Sequence, residues 1–563
     1  MRTSEYLEII LIIFLLIGLT PVVGSYMVKV FEGRRHVLFP AFGWFEKLIY
    51  RFSGVNPGSE TNWKTYTLSL VMFNLAGFVV VFLLQLFQSG LPLNPAQLQD
   101  VSWHLAFNTA ASFVTNTNWQ AYAGETTLSY LVQMAGLTVQ NFVSAATGIA
   151  VLLALVRGLT RKTTGMLGNF WVDITRSTLY VLLPLSILLA LLLAGQGVVQ
   201  NFTLYETVRT PQGPEQVIPM GPVASQIAIK QLGTNGGGFF GTNSAHPFEN
   251  PTPFSNFLEL LSILLLPAAL TFTFGKMVGS IRQGWTIFMV MMILLITGLA
   301  ISLTAEFAGN PVFGNLPLME GKEVRFGISR SIVWTSFTTA ASNGSVNAMI
   351  DSMSPVSGMI AMLNIMLGEV IFGGIGSGLY GMVIFIILTV FISGLMVGRT
   401  PEYLGKKIEA YEMKMAILAV LIPGFAILLF SALALTTNDG ISGITNPGPH
   451  GFSQVLYAFS SAAGNNGSSF AGLGANSVFY NLTTGFGMII GRFGVIIPVL
   501  AIAGNLAGKK LIPLSSGTFR TDNWLFIGLL IMVILIVGGL TFFPALSLGP
   551  VVEHLLLKND ITF

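Results

Sequence analysis

The stretch FSSAAGNNGSSF, from Phe459 to Phe470, decides how the whole chain is understood, because recognisable copies of it recur. FTTAASNGS runs from Phe337 to Ser345, FNTAASFVTNTN from Phe107 to Asn118, and a looser copy, AIKQLGTNGGGF, from Ala228 to Phe239. Centred on Asn116, Asn235, Asn343 and Asn466, the loops fall roughly 110 to 125 residues apart, a period long enough for one large structural unit. The sequence is a fourfold repeat.

Composition gives the setting. The 563 residues are 53% hydrophobic and 9% charged, against roughly 25% charged for a soluble globular chain. The chain reads as an all-α integral membrane protein. A net charge of +3 over this length, without a basic stripe interleaved with aromatics, gives no case for nucleic acid. The absence of cysteine excludes disulfides and thiolate chemistry.

Ten apolar segments are expected near 6–28, 66–88, 126–156, 177–199, 253–279, 285–305, 357–397, 413–436, 478–507 and 523–548. The first could be mistaken for a secretory signal, but Glu5 and Glu8 stand where a positive region should be. Four repeats are expected at 63–160, 161–284, 285–408 and 409–512, with one extra helix at each end, in 1–62 and 513–563. Lys and Arg concentrate in alternate connections, around Arg34 and Arg35, Arg161 and Lys162, Lys406 and Lys407, and Lys509 and Lys510. These connections therefore face the cytoplasm, the Asn-centred loops open outside, and both termini lie outside.

Each loop follows a short apolar segment, such as His104 to Phe113 or Ser329 to Ala341, too short to cross a bilayer but suited to a re-entrant helix. Irregular backbone at membrane depth is tolerated where protein shields it or where it lines a water-filled path, so the loops are expected to line a shared pore. The filter strands are expected at Thr115-Asn116-Thr117, Thr234-Asn235-Gly236, Ser342-Asn343-Gly344 and Asn465-Asn466-Gly467. Glycine opens backbone angles that turn carbonyls toward an axis, and a carbonyl cage without Asp or Glu suits a dehydrated monovalent cation, potassium best. An isolated Asn-Gly is more often a tight turn; four at matched spacing on one side argue for a common site. The first strand has Thr117 after its Asn, a β-branched residue that resists positive φ, so the cage is expected to be asymmetric. Lys230, just before the second strand, is expected to turn away from the path or to be paired.

The layout resembles the potassium-channel-like transporter superfamily. The strings TNTNWQAY at Thr115 to Tyr122, GTNGGGFFGTNSAHPFENPTP at Gly233 to Pro253, ASNGSVNAM at Ala341 to Met349 and AGNNGSSFAG at Ala463 to Gly472 are similar to one family within it, the KdpA potassium-binding subunits of bacterial Kdp ATPases. The resemblance implies the bacterial inner membrane, potassium at the filter with no organic cofactor, Gln120 among the pore residues, and a P-type ATPase subunit KdpB with KdpC and KdpF as partners. It also implies that ions chosen by this chain pass through an intramembrane tunnel to the pumping subunit.

The seventh segment is too long for one span and must break, and the expected break is Gly373-Gly374-Ile375-Gly376-Ser377-Gly378, an unwound loop beneath the filter. Glu369 and Arg492 are ionisable residues inside the membrane, expected either to pair or to guard a lower cavity; Arg399 anchors the topology or touches a partner. The chain carries neither a GxxxxGK[ST] loop nor a DKTGT motif, so it is not an ATPase by itself. A 100 mV potential is worth ~2.3 kcal/mol per charge, about fiftyfold accumulation, so scavenging from dilute medium needs a partner that hydrolyses ATP. Two other functions remain open: a stand-alone potassium channel or ion-coupled transporter, and an organic-solute transporter with broken helices.

Overall fold

The computed structural model describes residues 2–314, 316–396, 398–512 and 519–561. Among them ten helices are long and apolar enough to cross a bilayer: Thr3–Phe31, Trp63–Leu86, Val132–Thr160, Phe170–Gly195, Pro253–Met277, Ile281–Phe307, Ser377–Met396, Ala410–Thr436, Val478–Gly508 and Trp524–Leu557. We refer to them as the first to tenth spans. The chain is a multi-pass membrane protein.

Burial sorts these helices into layers. The third and fifth spans are 83% and 78% buried, whereas the first and second are 22% and 17% buried, so the second helix of each early repeat stands at the centre and the others face outward. Apolar side chains give no drive for helices to associate within lipid, so close contact depends on small residues. Gly24 of the first span lies against Ala269 and Phe272 of the fifth, and Thr273 Oγ1 donates to the Gly24 carbonyl at 3.2 Å. Gly158 of the third span likewise abuts Ala503 of the ninth. A buried polar tie adds to this: Arg157 forks onto Asp173 at 2.5 and 2.7 Å, and Tyr66 donates to the same carboxylate at 2.8 Å.

Several spans start at a side-chain cap. Asn62, Thr252, Ser477 and Asn523 each accept a backbone N–H from the first turn of the helix that follows, satisfying a donor that the helix itself cannot. Between the two helices of every repeat stands a short helix: Trp103–Val114, Val223–Leu232, Gly327–Ala340 and Gly448–Gly464. At 12, 10, 14 and 17 residues they are too short to span a bilayer.

The seventh segment is broken, with a half-helix Pro355–Met366 preceding Ser377–Met396. The break differs from the expected glycine run. Ser377 and Gly378 already belong to the second half, and the non-helical backbone spans 367–376. The reason lies at its beginning, where Gly368 and Glu369 take φ of 85° and 56° and end the first half in the left-handed region.

The basic connections interlock at one end of the bundle. Lys406 Nζ donates to the carbonyls of Leu506 and Lys509 at 2.9 and 2.7 Å and to that of Arg161 at 2.5 Å. Thr61 pairs with Gly168 in a short antiparallel ladder, and Gln283 donates to Thr521 at 2.6 Å. One end therefore gathers the connections richest in Lys and Arg. Single cysteines replacing Arg35, Lys162 and Lys407 in this cysteine-free chain are expected to react with an impermeant maleimide only from the cytoplasmic side. Labelling of any two from outside would reverse the orientation.

Candidate functional site: a ring of four loops

The four short helices end in the same way. In each, a backbone N–H reaches back five residues: Thr117 to Ser112 O, Asn235 to Lys230 O, Asn343 to Thr338 O and Asn466 to Ser461 O, all at 2.9 to 3.0 Å. The residue before each of these donors has positive φ: Asn116 65°, Thr234 49°, Ser342 50° and Asn465 60°. The residue after it does too: Asn118 54°, Gly236 85°, Gly344 90° and Gly467 100°.

This equivalence corrects the register of the first loop. Thr117 does not stand in the glycine position; Asn118 does, while Thr117 matches Asn235, Asn343 and Asn466. Asn tolerates the left-handed region better than other side-chain-bearing residues, so the backbone pattern is kept in all four loops. The asymmetry expected from Thr117 is one of side chains instead. A pattern of N–H bonds five residues back is not visible in the bare strings, and TNTN offers two asparagines for the one position.

The loops close on one another in order. Asn116 Nδ2 of the first donates to Thr234 O of the second at 2.9 Å. Asn343 Nδ2 of the third donates to Lys230 O at 3.2 Å, and Asn466 Nδ2 of the fourth donates to Thr338 O at 3.0 Å. Asn465 Nδ2 returns to Thr117 Oγ1 of the first at 3.0 Å. The glycines show how tight the ring is. A Cβ on Gly236 would overlap Asn343 O, one on Gly344 would overlap Asn466 O, and one on Gly467 would overlap Thr117 O. Glycine is needed there for space as well as for φ. Each short helix also directs its C-terminal end, about −0.5 charge, at the ring, which favours a cation.

Comparison with known proteins agrees with this architecture. The family model described as "KdpA: Potassium-transporting ATPase A subunit" matches residues 10–555. The chain belongs to the KdpA family. Among its relatives are proteins named potassium-transporting ATPase potassium-binding subunit: one from Sorangium cellulosum is 58% identical, covering 99% of both chains. Another from Pseudomonas aeruginosa is 57% identical over 99% of this chain and all of the relative, and one from Leptospira interrogans is 54% identical over the whole of both. The crystal structure of the potassium transporter TrkH from Vibrio parahaemolyticus shares the fold, with a TM-score of 0.53 at 12% identity over 88% of this chain and 98% of that one.

Around the ring the KdpA-family chain places its other candidates unequally. Gln120 faces the second loop, donating to Gly238 O at 3.0 Å and accepting from Gly238 N at 2.9 Å. A vestibule of about 420 Å3, lined by Asn118, Gln120, Asn243 and Ser468, leads to Gly236, Gly344 and Gly467. Lys230 is paired, its ammonium 2.7 Å from Glu249 Oε2 with both side chains fully buried. At the start of the fourth short helix His450 bridges Asp351 and Glu553 at 2.9 and 2.8 Å. Burial alone would lower its pKa, but the two hydrogen-bonded carboxylates raise it to about 10, so the ring stays protonated at neutral pH.

Beneath the ring lies the seventh segment's break. Ile375 N donates to Thr234 Oγ1 at 2.9 Å and Gly373 N to Ala340 O at 2.9 Å, while Gly374 faces Ser342 and Thr234. Gly376 and Ile375 abut Gly148 of the third span on the far side. Glu369 and Arg492 do not form an ion pair among the described residues; both line a cavity of about 90 Å3 under Asn465, and Glu369 Oε1 has no hydrogen-bond partner there. Arg399 is exposed near the basic end, its backbone N–H donating to Gly394 O at 2.8 Å, and is not brought to that cavity. Asn118, Asn243, Glu249, Ser345 and Ser468 also border or back the ring, and the strings alone did not single them out; for all but Glu249 a hydroxyl or amide two or more residues past each Asn was the available signal.

The ring contacts predict a sharp contrast among glycines. Gly344→Ala is expected to destabilise the purified chain by roughly 1 to 2 kcal/mol from φ alone, and by more from the overlap with Asn466 O. Gly18→Ala, in the first span with nothing within 4 Å of the added methyl, is expected to be neutral or slightly stabilising. Thermal unfolding in detergent checks both, and equal effects would contradict the ring geometry.

Proposed function

We propose that the ring selects potassium from the outer face for uptake by a potassium-transporting ATPase of which this chain is the potassium-binding subunit. The carrying observation is the ring itself: four equivalent strands, closed head to tail, whose backbone carbonyls replace side-chain charge. A dehydrated monovalent cation is compensated by such neutral oxygens together with four convergent helix C-termini. No Asp or Glu occurs in the four strands, and the nearest carboxylate behind the second loop, Glu249, is consumed by Lys230. The names of the family and of its relatives support the same ion.

Passage onward is sideways in this reading. The break crosses directly beneath the ring, and Thr234, a β-branched residue held at φ 49°, is tied to it through Ile375. Backbone strain of this kind persists where the surroundings fix it, often at functional sites. From the cavity under Asn465 the lining continues past Glu369 and Arg492 to Pro423 and Ile427 of the eighth span and Val537 and Thr541 of the tenth. Those two spans are each 33% buried, leaving a face on which a partner fits. The partner is a P-type ATPase subunit, KdpB, with KdpC and KdpF completing the complex; ATP hydrolysis belongs to KdpB. Arg399, exposed at the basic end, is available to that partner. The termini and vestibule face outward from the bacterial inner membrane.

Two variants test this in the reconstituted complex. Gly236→Ser is expected to raise the potassium half-saturation of ATP hydrolysis by about tenfold or more and to relax discrimination against rubidium and sodium. Deleting Gly373–Gly376 is expected to open an uncoupled potassium leak. An assembled Gly236→Ser complex with unchanged half-saturation and ion ranking would remove the filter from this loop, and a deletion as tight as the parent would remove the gate.

A further inference from the structure

Three of the four loops are locked from within. In the third and fourth, Ser345 N and Ser468 N donate to Asn343 Oδ1 and Asn466 Oδ1 at 2.9 and 3.1 Å. The two serine hydroxyls are held in turn by their own short helices, through Trp334 Nε1 at 3.2 Å and Tyr457 OH at 2.7 Å. In the first, Ser112 Oγ donates across the loop to Trp119 O at 3.0 Å.

The second loop has no such lock. Gly237 occupies the place of Ser345 and Ser468, and a Cβ there would meet Asn118 Cβ and Phe113 Cζ at 3.0 Å. The cause is the first loop's departure from glycine: the Asn118 side chain fills the space that a serine at 237 would need. A serine lock in this loop would need the Asn118 and Phe113 side chains to give way.

Lys230 stands where the other repeats carry Ser112, Thr338 and Ser461, the residues whose carbonyls receive the loop N–H. Its longer side chain reaches past the loop, and Nζ donates to Asn243 Oδ1, Ser244 Oγ and Glu249 Oε2, each at 2.7 Å. Three N–H groups meet three acceptors, which is what a fully buried ammonium requires. Asn243 then turns its Nδ2 onto Gly236 O at 2.7 Å, and Glu249 Oε1 accepts Phe240 N at 2.8 Å. The hold on the second loop comes from behind it.

We propose that Lys230, acting through Asn243 on the Gly236 carbonyl, is a positioning residue that sets the second loop's contribution to ion selection. This rests on the reading of the ring as the potassium filter. Lys230 touches no ion; it substitutes an external brace for the internal serine lock, with its charge cancelled by Glu249 so that no net positive charge faces the path.

The test uses the complete reconstituted complex with Gly236→Ser alongside. The double variant Lys230→Met/Glu249→Gln removes the Lys230–Glu249 ion pair as a whole, leaving neither of its two members unpaired, while Glu259 behind it keeps its hydrogen bonds from Ser244 and Gln231. Asn243→Gly keeps the left-handed backbone at 243 (φ 55°) and removes only the amide. Each is expected to raise the potassium half-saturation of ATP hydrolysis about fivefold, to relax the rubidium and sodium ranking, and to leave the maximal rate near that of the parent. The double variant introduced into the Asn243→Gly background is expected to add no further shift, because both act on one contact.

An assembled double variant with parental half-saturation, beside a shifted Gly236→Ser, overturns the brace and leaves the filter standing. So does a double variant whose full effect adds to that of Asn243→Gly. A silent Gly236→Ser overturns the filter reading, and the brace with it. Should the double variant fail to assemble, Ser244→Ala removes one of the three acceptors; a smaller shift in the same direction supports the brace, and no shift overturns it.

Discussion

Everything in this fold answers to one close contact, made in three of the four loops: a left-handed glycine lying against the carbonyl of the next loop round. At Gly236, Gly344 and Gly467 the neighbouring oxygens of Asn343, Asn466 and Thr117 leave no room for a Cβ. Backbones can approach this closely within a membrane only if their polar groups are satisfied by protein. The asparagine amides of the first, third and fourth loops do this, each donating to a neighbouring loop. The long helices hold four short helices in register so that this ring can close.

A fourfold ring from one chain need not be uniform, and this one departs from symmetry at two places. One repeat breaks its second helix and sends the non-helical backbone across the axis. Another gives up its serine lock because Asn118 crowds Gly237, and it is braced instead by Lys230. The first change gives the proposed path its sideways exit. The second keeps the ring's geometry despite a side chain in one of its four glycine positions.

Much of this was legible in the sequence, for identifiable reasons. Hydrophobic runs of bilayer length report themselves, so ten spans and the breaking of the seventh followed from residue order alone. The repeats were visible because the ring's steric limits force Asn and Gly into fixed strings. The register of the first loop was not visible: Asn116 and Asn118 compete for one alignment, and the deciding N–H bonds from Thr117 to Ser112 and from Asn235 to Lys230 are backbone features. The extent of the break was missed because Gly368 and Glu369, ahead of the glycine run, end the helix. That Lys230 is paired could be argued from the cost of a bare cation. That its partner is Glu249, 19 residues on, depends on how the loop folds back.

The central claim, that the ring is where potassium is selected, is tested most directly by anomalous diffraction from crystals of the complex soaked in thallium, a heavy monovalent stand-in for potassium. The account predicts an anomalous peak on the ring axis, enclosed by the backbone oxygens of Thr117, Asn235, Asn343 and Asn466, which potassium displaces and sodium does not. Thallium bound elsewhere in the chain, with no density within the ring, would contradict it.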